Sequence, residues 1–219
     1  ASLGDRLAGQ GDPPGAPAVT YGSRPGTTEE LQFVDDLEGD VTLWSTENSN
    51  LQHGAWEHAP PLGTTWGARQ AAPFEDASRG PIKTNAFVTG NGPQGTDATI
   101  GDVDGGPTRL ISPTIDLAGG DAVIAFRHWF FCDVRDHSQA DSLDVELSND
   151  AGRTWIPVRS LWDTEGAWRT ASFRVGEFLT PTSSIVVRWS VQDTPNDSVT
   201  EAGVDEFQVL VWSCFTSVG

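Results

Sequence analysis

The residues best equipped for chemistry are carboxylates that gather at a few points of the chain. Asp36 and Glu38 stand early, Asp102 and Asp104 lie in a Gly-rich run, and Asp205 stands near the end. A hard cation such as Ca2+ takes roughly six to eight oxygens from such groups and from backbone carbonyls. The plain alternative is a set of solvated acids capping turns. Asp102-Val103-Asp104-Gly105-Gly106 lacks the downstream Glu of an EF-hand loop, so a calcium here is expected to be structural. For acid catalysis a carboxyl must sit in an apolar cleft that raises its pKa. Glu201 and Glu206 are the acids with apolar flanks. Pairs of acids decide nothing in a chain this acidic, and the expectation is that the chain is no enzyme.

Other side chains give weaker signals. His53 and His58 are five apart in a loop-like stretch, off the spacing of helical zinc ligands. His128 alternates in step with Ile124, Phe126 and Phe130 and reads as a core histidine. No GxSxG or GxxxxGK[ST] motif occurs, and no GxGxxG follows a strand. Nine Trp against one Tyr is a high count. Trp56 and Trp66 fall in loop-rich sequence, where an indole can stack on a sugar or anchor a protein; equally, they could plug the ends of a sandwich. Cys132 and Cys214 are either one disulfide closing a long loop, worth roughly 4 kcal/mol on the chain-entropy picture, or two buried thiols.

These residues need elements to position them, and composition bounds what those can be. The chain has 219 residues, with 13 Lys plus Arg against 31 Asp plus Glu, a net charge of −18. That balance repels nucleic-acid phosphates and anionic lipid, and it favours cations. With 24 Gly and 14 Pro, long helices are disfavoured. No apolar run approaches the roughly 20 residues of a membrane span; the stretch from Val123 to Phe131 contains Arg127 and His128. The chain has no Met, as expected of a processed product or an excised piece. Ala1-Ser2-Leu3-Gly4-Asp5 would suit the residues left by signal-peptide removal. An extracytoplasmic location is therefore expected.

Residues 1–28 are Pro- and Gly-rich without periodicity and read as an extended arm or linker. Residues 29–219 read as one domain. Strands are expected at Leu31 to Val34, Ala86 to Thr89, Thr108 to Ile111, Val123 to Phe131, Leu143 to Leu147, Ala171 to Val175, Ile185 to Val191 and Val204 to Trp212. Residues 45–82 read as loops. Strands at this spacing, divided by Gly, Pro, Asn and Asp, predict an all-β antiparallel sandwich. Val204 and Phe207 are three apart, so both reach the core only if a bulge intervenes at Asp205-Glu206.

The order of several motifs resembles the MAM-like jelly-roll domains of secreted bacterial proteins. Those motifs are Asp36-Leu37-Glu38-Gly39, Phe87-Val88-Thr89-Gly90-Asn91-Gly92, Asp102-Val103-Asp104-Gly105-Gly106 with Leu110-Ile111-Ser112-Pro113, Val145 through Trp155, and Glu201-Ala202-Gly203-Val204-Asp205-Glu206-Phe207. The resemblance spans about residues 31–213. It implies a jelly-roll sandwich whose first and last strands lie close, so that Asp36, Glu38, Asp102, Asp104 and Asp205 could share a structural Ca2+. Ala86 stands where the family often has Cys, and Phe74-Glu75-Asp76 follows the family's acidic stretch only loosely. Ser148 through Trp155 also fits the SxDxGxTW pattern of sialidase Asp-boxes; a single copy reads as a hairpin turn with Trp155 packed beneath it.

The expectation is a non-catalytic extracytoplasmic module that binds a partner protein, as an accessory subunit or appended domain. The alternatives are a carbohydrate-binding module using Trp56 and Trp66, and a small glycan-active enzyme. The oligomeric state is open.

Overall fold

The computed structural model describes residues 27–77, 84–136, 140–162, 164–195 and 197–214. The expected arm lies outside them, except that Thr27 and Thr28 already belong to the first strand. In chain order the strands are β1 (Thr27–Asp35), β2 (Ser45–Asn48), β3 (Leu51–His53), β4 (Glu57–Ala59), β5 (Thr64–Trp66), β6 (Arg69–Ala72), β7 (Ala86–Val88), β8 (Thr96–Asp97), β9 (Asp104–Ile111), β10 (Asp121–Cys132), β11 (Leu143–Ser148), β12 (Ile156–Leu161), β13 (Arg169–Arg174), β14 (Val186–Asp193) and β15 (Thr200–Cys214). No α-helix occurs among the described residues.

Two sheets form the sandwich. The first runs β13-β10-β15-β7-β4, with β1 also on β15; the second runs β12-β11-β14-β9-β2, with β3 also on β9. Both are antiparallel throughout, as the sequence predicts. A small third sheet, β6-β5-β8, holds a parallel pair, β5 with β8. Five short strands, β2 to β6, occupy much of the stretch expected to be loops at residues 45–82.

The core lies between the two large sheets and includes Leu110, Phe126, Trp189, Phe207 and Trp44. Trp189 meets Phe126 and Phe207 edge-on, with ring centroids 5.2 and 5.7 Å away, the orientation that ring quadrupoles favour. A second cluster, with Trp129, Phe131 and Val88, lies apart from this core. It explains a break in β10. The strand alternates buried and half-buried from Asp121 to His128, then is buried at every residue to Cys132, because there its second face is covered too.

The expected bulge is present. Ala125 pairs Gln208 and Arg127 pairs Asp205, so Glu206 and Phe207 together oppose Phe126. Glu206 takes φ 47°. The bulge lets Val204 and Phe207 both reach the core, each fully buried.

The disulfide does not form. Cys132 is a free, buried thiol. In register it sits opposite Thr200, whereas Cys214 sits opposite Thr27. Those positions are the two ends of β15, about 45 Å apart at strand rise. A disulfide needs Cα atoms within roughly 7 Å.

Candidate functional site

The five expected metal ligands fall into two groups. Val103 N–H donates to the Thr200 carbonyl, which places Asp102 and Asp104 at the start of β15. Asp205 lies five residues further, about 16 Å along the strand, so one ion cannot reach both ends. At the far end, Glu38 Oε1 accepts Thr84 and Asn85 N–H at 2.6 and 3.0 Å. Asp36 Oδ1 accepts Glu38 N–H. Asp205, fully buried, accepts Ala77 N–H and its neighbour Glu206 N–H. Burial lifts its carboxyl to about 7, and Asp76 and Glu206 push the same way against those two N–H donors. These acids are spent on the backbone rather than gathered round a common point.

At the near end the geometry differs. Carboxylate oxygens of Asp104, Asp193 and Asp197 all lie within 4.8 Å of one another. Sequence reading missed Asp193 and Asp197, which come from the end of β14 and the loop after it. Asp193 is held by Ser198 N–H and Oγ–H, and Ser198 Oγ–H also reaches Asp141 at 2.6 Å. Asp102 is raised to about 7, first by burial and then by Asp104, with Asp193 adding a smaller push.

The two Trp candidates are not an exposed platform. Trp56 is 4% exposed and belongs to the sandwich core. Trp66 is half-buried in β5, packed against the second apolar cluster. Nor is the Ser148–Trp155 segment a site. Asp150 accepts Thr154 N–H at 2.9 Å and Thr154 Oγ–H at 2.7 Å, bonds that hold its carboxyl down at about 2. Ala151 and Gly152 take the positive φ values that the turn needs. Trp155 lies under Arg188, whose guanidinium is 4.1 Å from the ring.

Of the acids with apolar flanks, Glu206 pairs with Arg127 at 3.2 Å. Glu201 is fully buried. Its Oε2 accepts Thr64 Oγ–H at 2.5 Å, while Oε1 has no hydrogen-bond partner among the described residues.

The cleft that sequence reading did not foresee lies at the open side of the sandwich. It is lined by the end of β10, the segment after β12 and the start of β13. It has a volume of about 520 Å3. Its lining includes His128, Trp162, Thr164, Glu165, Arg135 and Arg169. The segment after β12 closes one wall, because Thr164 N–H donates to the Phe130 carbonyl at 2.8 Å. His128 sits on the inward face of β10, 5% exposed. Its Nδ1 has no partner among the described residues. Burial pushes the imidazole down to about 4, and Arg159 and Arg169 add to that, so it is neutral at pH 7. The sequence signal for His128, an apolar face, is the same for a core histidine and for one that floors a cleft.

No protein-family model matches the chain, and no curated protein matches it. Among solved structures, the K1 cleaved adhesin domain of Lys-gingipain from Porphyromonas gingivalis W83 is similar at 16% identity. The match covers 84% of this chain and 97% of that one, with a TM-score of 0.44. The CBM22-1 xylan-binding domain of Paenibacillus barcinonensis Xyn10C is similar at 12% identity, over 87% and 97%, with a TM-score of 0.46. A family 11 carbohydrate-binding module from Clostridium thermocellum is similar at 11% identity, over 83% and 94%, with a TM-score of 0.43.

Proposed function

We propose that the chain is a non-catalytic, extracytoplasmic binding module whose ligand is a short stretch of glycan held in the cleft beside the start of β13. The observation that carries this reading is the cleft itself. At about 520 Å3 it lies within the roughly 300–1,000 Å3 of small-ligand sites. It combines an indole, Trp162, with Thr, Glu and Arg side chains that can serve sugar hydroxyls. A docked protein would favour a broad apolar face. Among the described residues the large apolar side chains that are exposed are Val34, Leu43, Phe74 and Ile100, few for the broad face that a docked protein needs. That favours a glycan over the protein partner expected from sequence.

The test is calorimetric titration of the whole chain with oligosaccharides of several backbones. Binding should weaken about tenfold, roughly 1.4 kcal/mol, in Trp162→Ala. Failure of every glycan to bind overturns the reading. Release of new reducing ends during incubation overturns its non-catalytic part.

The calcium expectation belongs to this reading in altered form. Its donors would be Asp104, Asp193 and Asp197; hard carboxylate oxygens suit Ca2+, whereas Asp36, Glu38 and Asp205 do not converge with Asp104. Millimolar Ca2+ added after EDTA should raise the thermal midpoint, by about 2.7 kcal/mol in stability at a hundredfold excess over Kd. Asp197→Asn should remove that rise. A rise kept in Asp197→Asn but lost in Asp205→Asn would return the ion to the bulge in β15.

A further inference from the structure

Resting on the glycan reading, we infer that the cleft beside the start of β13 selects an anionic saccharide, one whose carboxylate or sulfate is taken by Arg135 and Arg169 above His128. The register places these groups. Arg169 is directly opposite His128 on β13, and opposite residues of an antiparallel pair share a face, so Arg169 lies on the inward face of its sheet. Arg135, on the segment after β10, lines the same cleft, whereas Arg159 on β12 is exposed and outside the lining, next to Val158, which packs on the core. Two guanidinium groups, those of Arg135 and Arg169, thus border the cleft that His128 lines. Arg159 and Arg169 both act on His128 electrostatically.

Charge makes this placement unusual. The chain carries 13 basic residues against 31 acidic ones, yet Arg135 and Arg169 both line this one cleft, matched by only two acids, Asp141 and Glu165. The ion pairs between described residues use Arg127, Arg174 and Arg188. Arg135, Arg159 and Arg169 make none among those residues. A second, independent observation points to a ligand: His128 is 5% exposed, lines the cleft, and its Nδ1 has no hydrogen-bond partner among the described residues. A planar guanidinium offers paired N–H donors matched to a carboxylate or sulfate. Glu165 and Thr164, also in the lining, can accept from or donate to the neighbouring hydroxyls of the same sugar.

The experiment titrates the whole chain with three oligosaccharides of equal length: an oligogalacturonate, a sulfated galactan fragment and a neutral galactan fragment. One or both charged chains should bind at least tenfold more tightly than the neutral one, and comparing the two charged arms tells carboxylate from sulfate. Arg169→Gln and Arg135→Gln should each abolish the preference without moving the thermal midpoint. Arg153→Gln removes the same charge on the β11–β12 turn, outside the cleft, and should leave the preference intact. Equal binding of neutral and charged chains overturns the inference and leaves the glycan reading standing. A preference lost equally in Arg153→Gln overturns the inference as bulk charge. Binding of none of the three, or of any other glycan, overturns both.

Discussion

Glu201 is the residue whose chemistry is most at odds with its surroundings. It is fully buried, with one carboxyl oxygen bonded to Thr64 and the other without a partner among the described residues. Burial lifts its pKa to about 8; the Thr64 bond opposes this and Asp102 reinforces it. An unfolded glutamate titrates near 4.3. Between about pH 4.5 and 8, therefore, the folded chain holds a proton that the unfolded chain has released. Stability then falls as pH rises through that window. His128 works in the opposite sense. Its folded pKa of about 4 lies below the ordinary histidine value, so its contribution is lost as pH falls from about 6.5 toward 4. The two windows overlap from about pH 4.5 to 6.5, where their slopes oppose; Asp102, Asp193 and Asp205, also raised by burial, add to the fall, so stability should decline as pH rises from about 6.5 to 8. Glu201→Gln keeps an acceptor for Thr64 and removes the titration. It should raise stability at pH 8 on the order of 1–3 kcal/mol, with little change at pH 5. Thermal melts across pH 5–8 check this; a mutant profile parallel to the wild type overturns it.

At the scale of elements, β15 organises the molecule. It pairs with β10, β1 and β7, and it carries Glu201, Gly203 and Asp205 past the same neighbours. Gly203 sits opposite Trp129, and a Cβ there would run into the indole. Gly203→Ala should destabilise by about 1–3 kcal/mol, the usual cost of overpacking, and the cost should shrink in a Trp129→Leu background. Urea melts of the four chains form the cycle; an undiminished cost would mean that the indole is not the obstacle. The same scale shows what sequence could reveal. Strands β10, β11 and β14 were legible because one face is buried and the alternation is clean. The bulge was legible because Val204 and Phe207 conflict with a period of two. β2 was not legible, since every residue in it is exposed, and β8 is two residues long. The cleft was hidden for a different reason. Arg169 meets His128 only through the register of an edge strand, and Asp104 meets Asp193 and Asp197 only because β9 pairs with β14. No local spacing encodes such pairings.

For the molecule as a whole, charge acts on folding and on binding with opposite signs. A net −18 works against the compact state through self-repulsion. The Debye length falls from about 10 Å at 0.1 M salt to about 3 Å at 1 M, so added NaCl should raise the thermal midpoint. The same screening should weaken capture of an anionic saccharide, because its driving attraction is the arginine group in the cleft. Long-range repulsion between such a ligand and the acidic remainder of the surface also fades with salt, which offsets part of the loss. The balance depends on distance. Arg135 and Arg169 would touch the ligand, where screening is weakest, whereas most of the 31 acidic residues lie elsewhere on the molecule, where it is strongest. The two quantities can be measured in one buffer series from 0.05 to 1 M NaCl. The midpoint should climb steadily, and affinity for a charged oligosaccharide should fall by no more than about tenfold. In Arg169→Gln the residual affinity should be nearly flat in salt. A mutant whose affinity stays as salt-dependent as the wild type would place the ligand's charge away from β13, and with it the site.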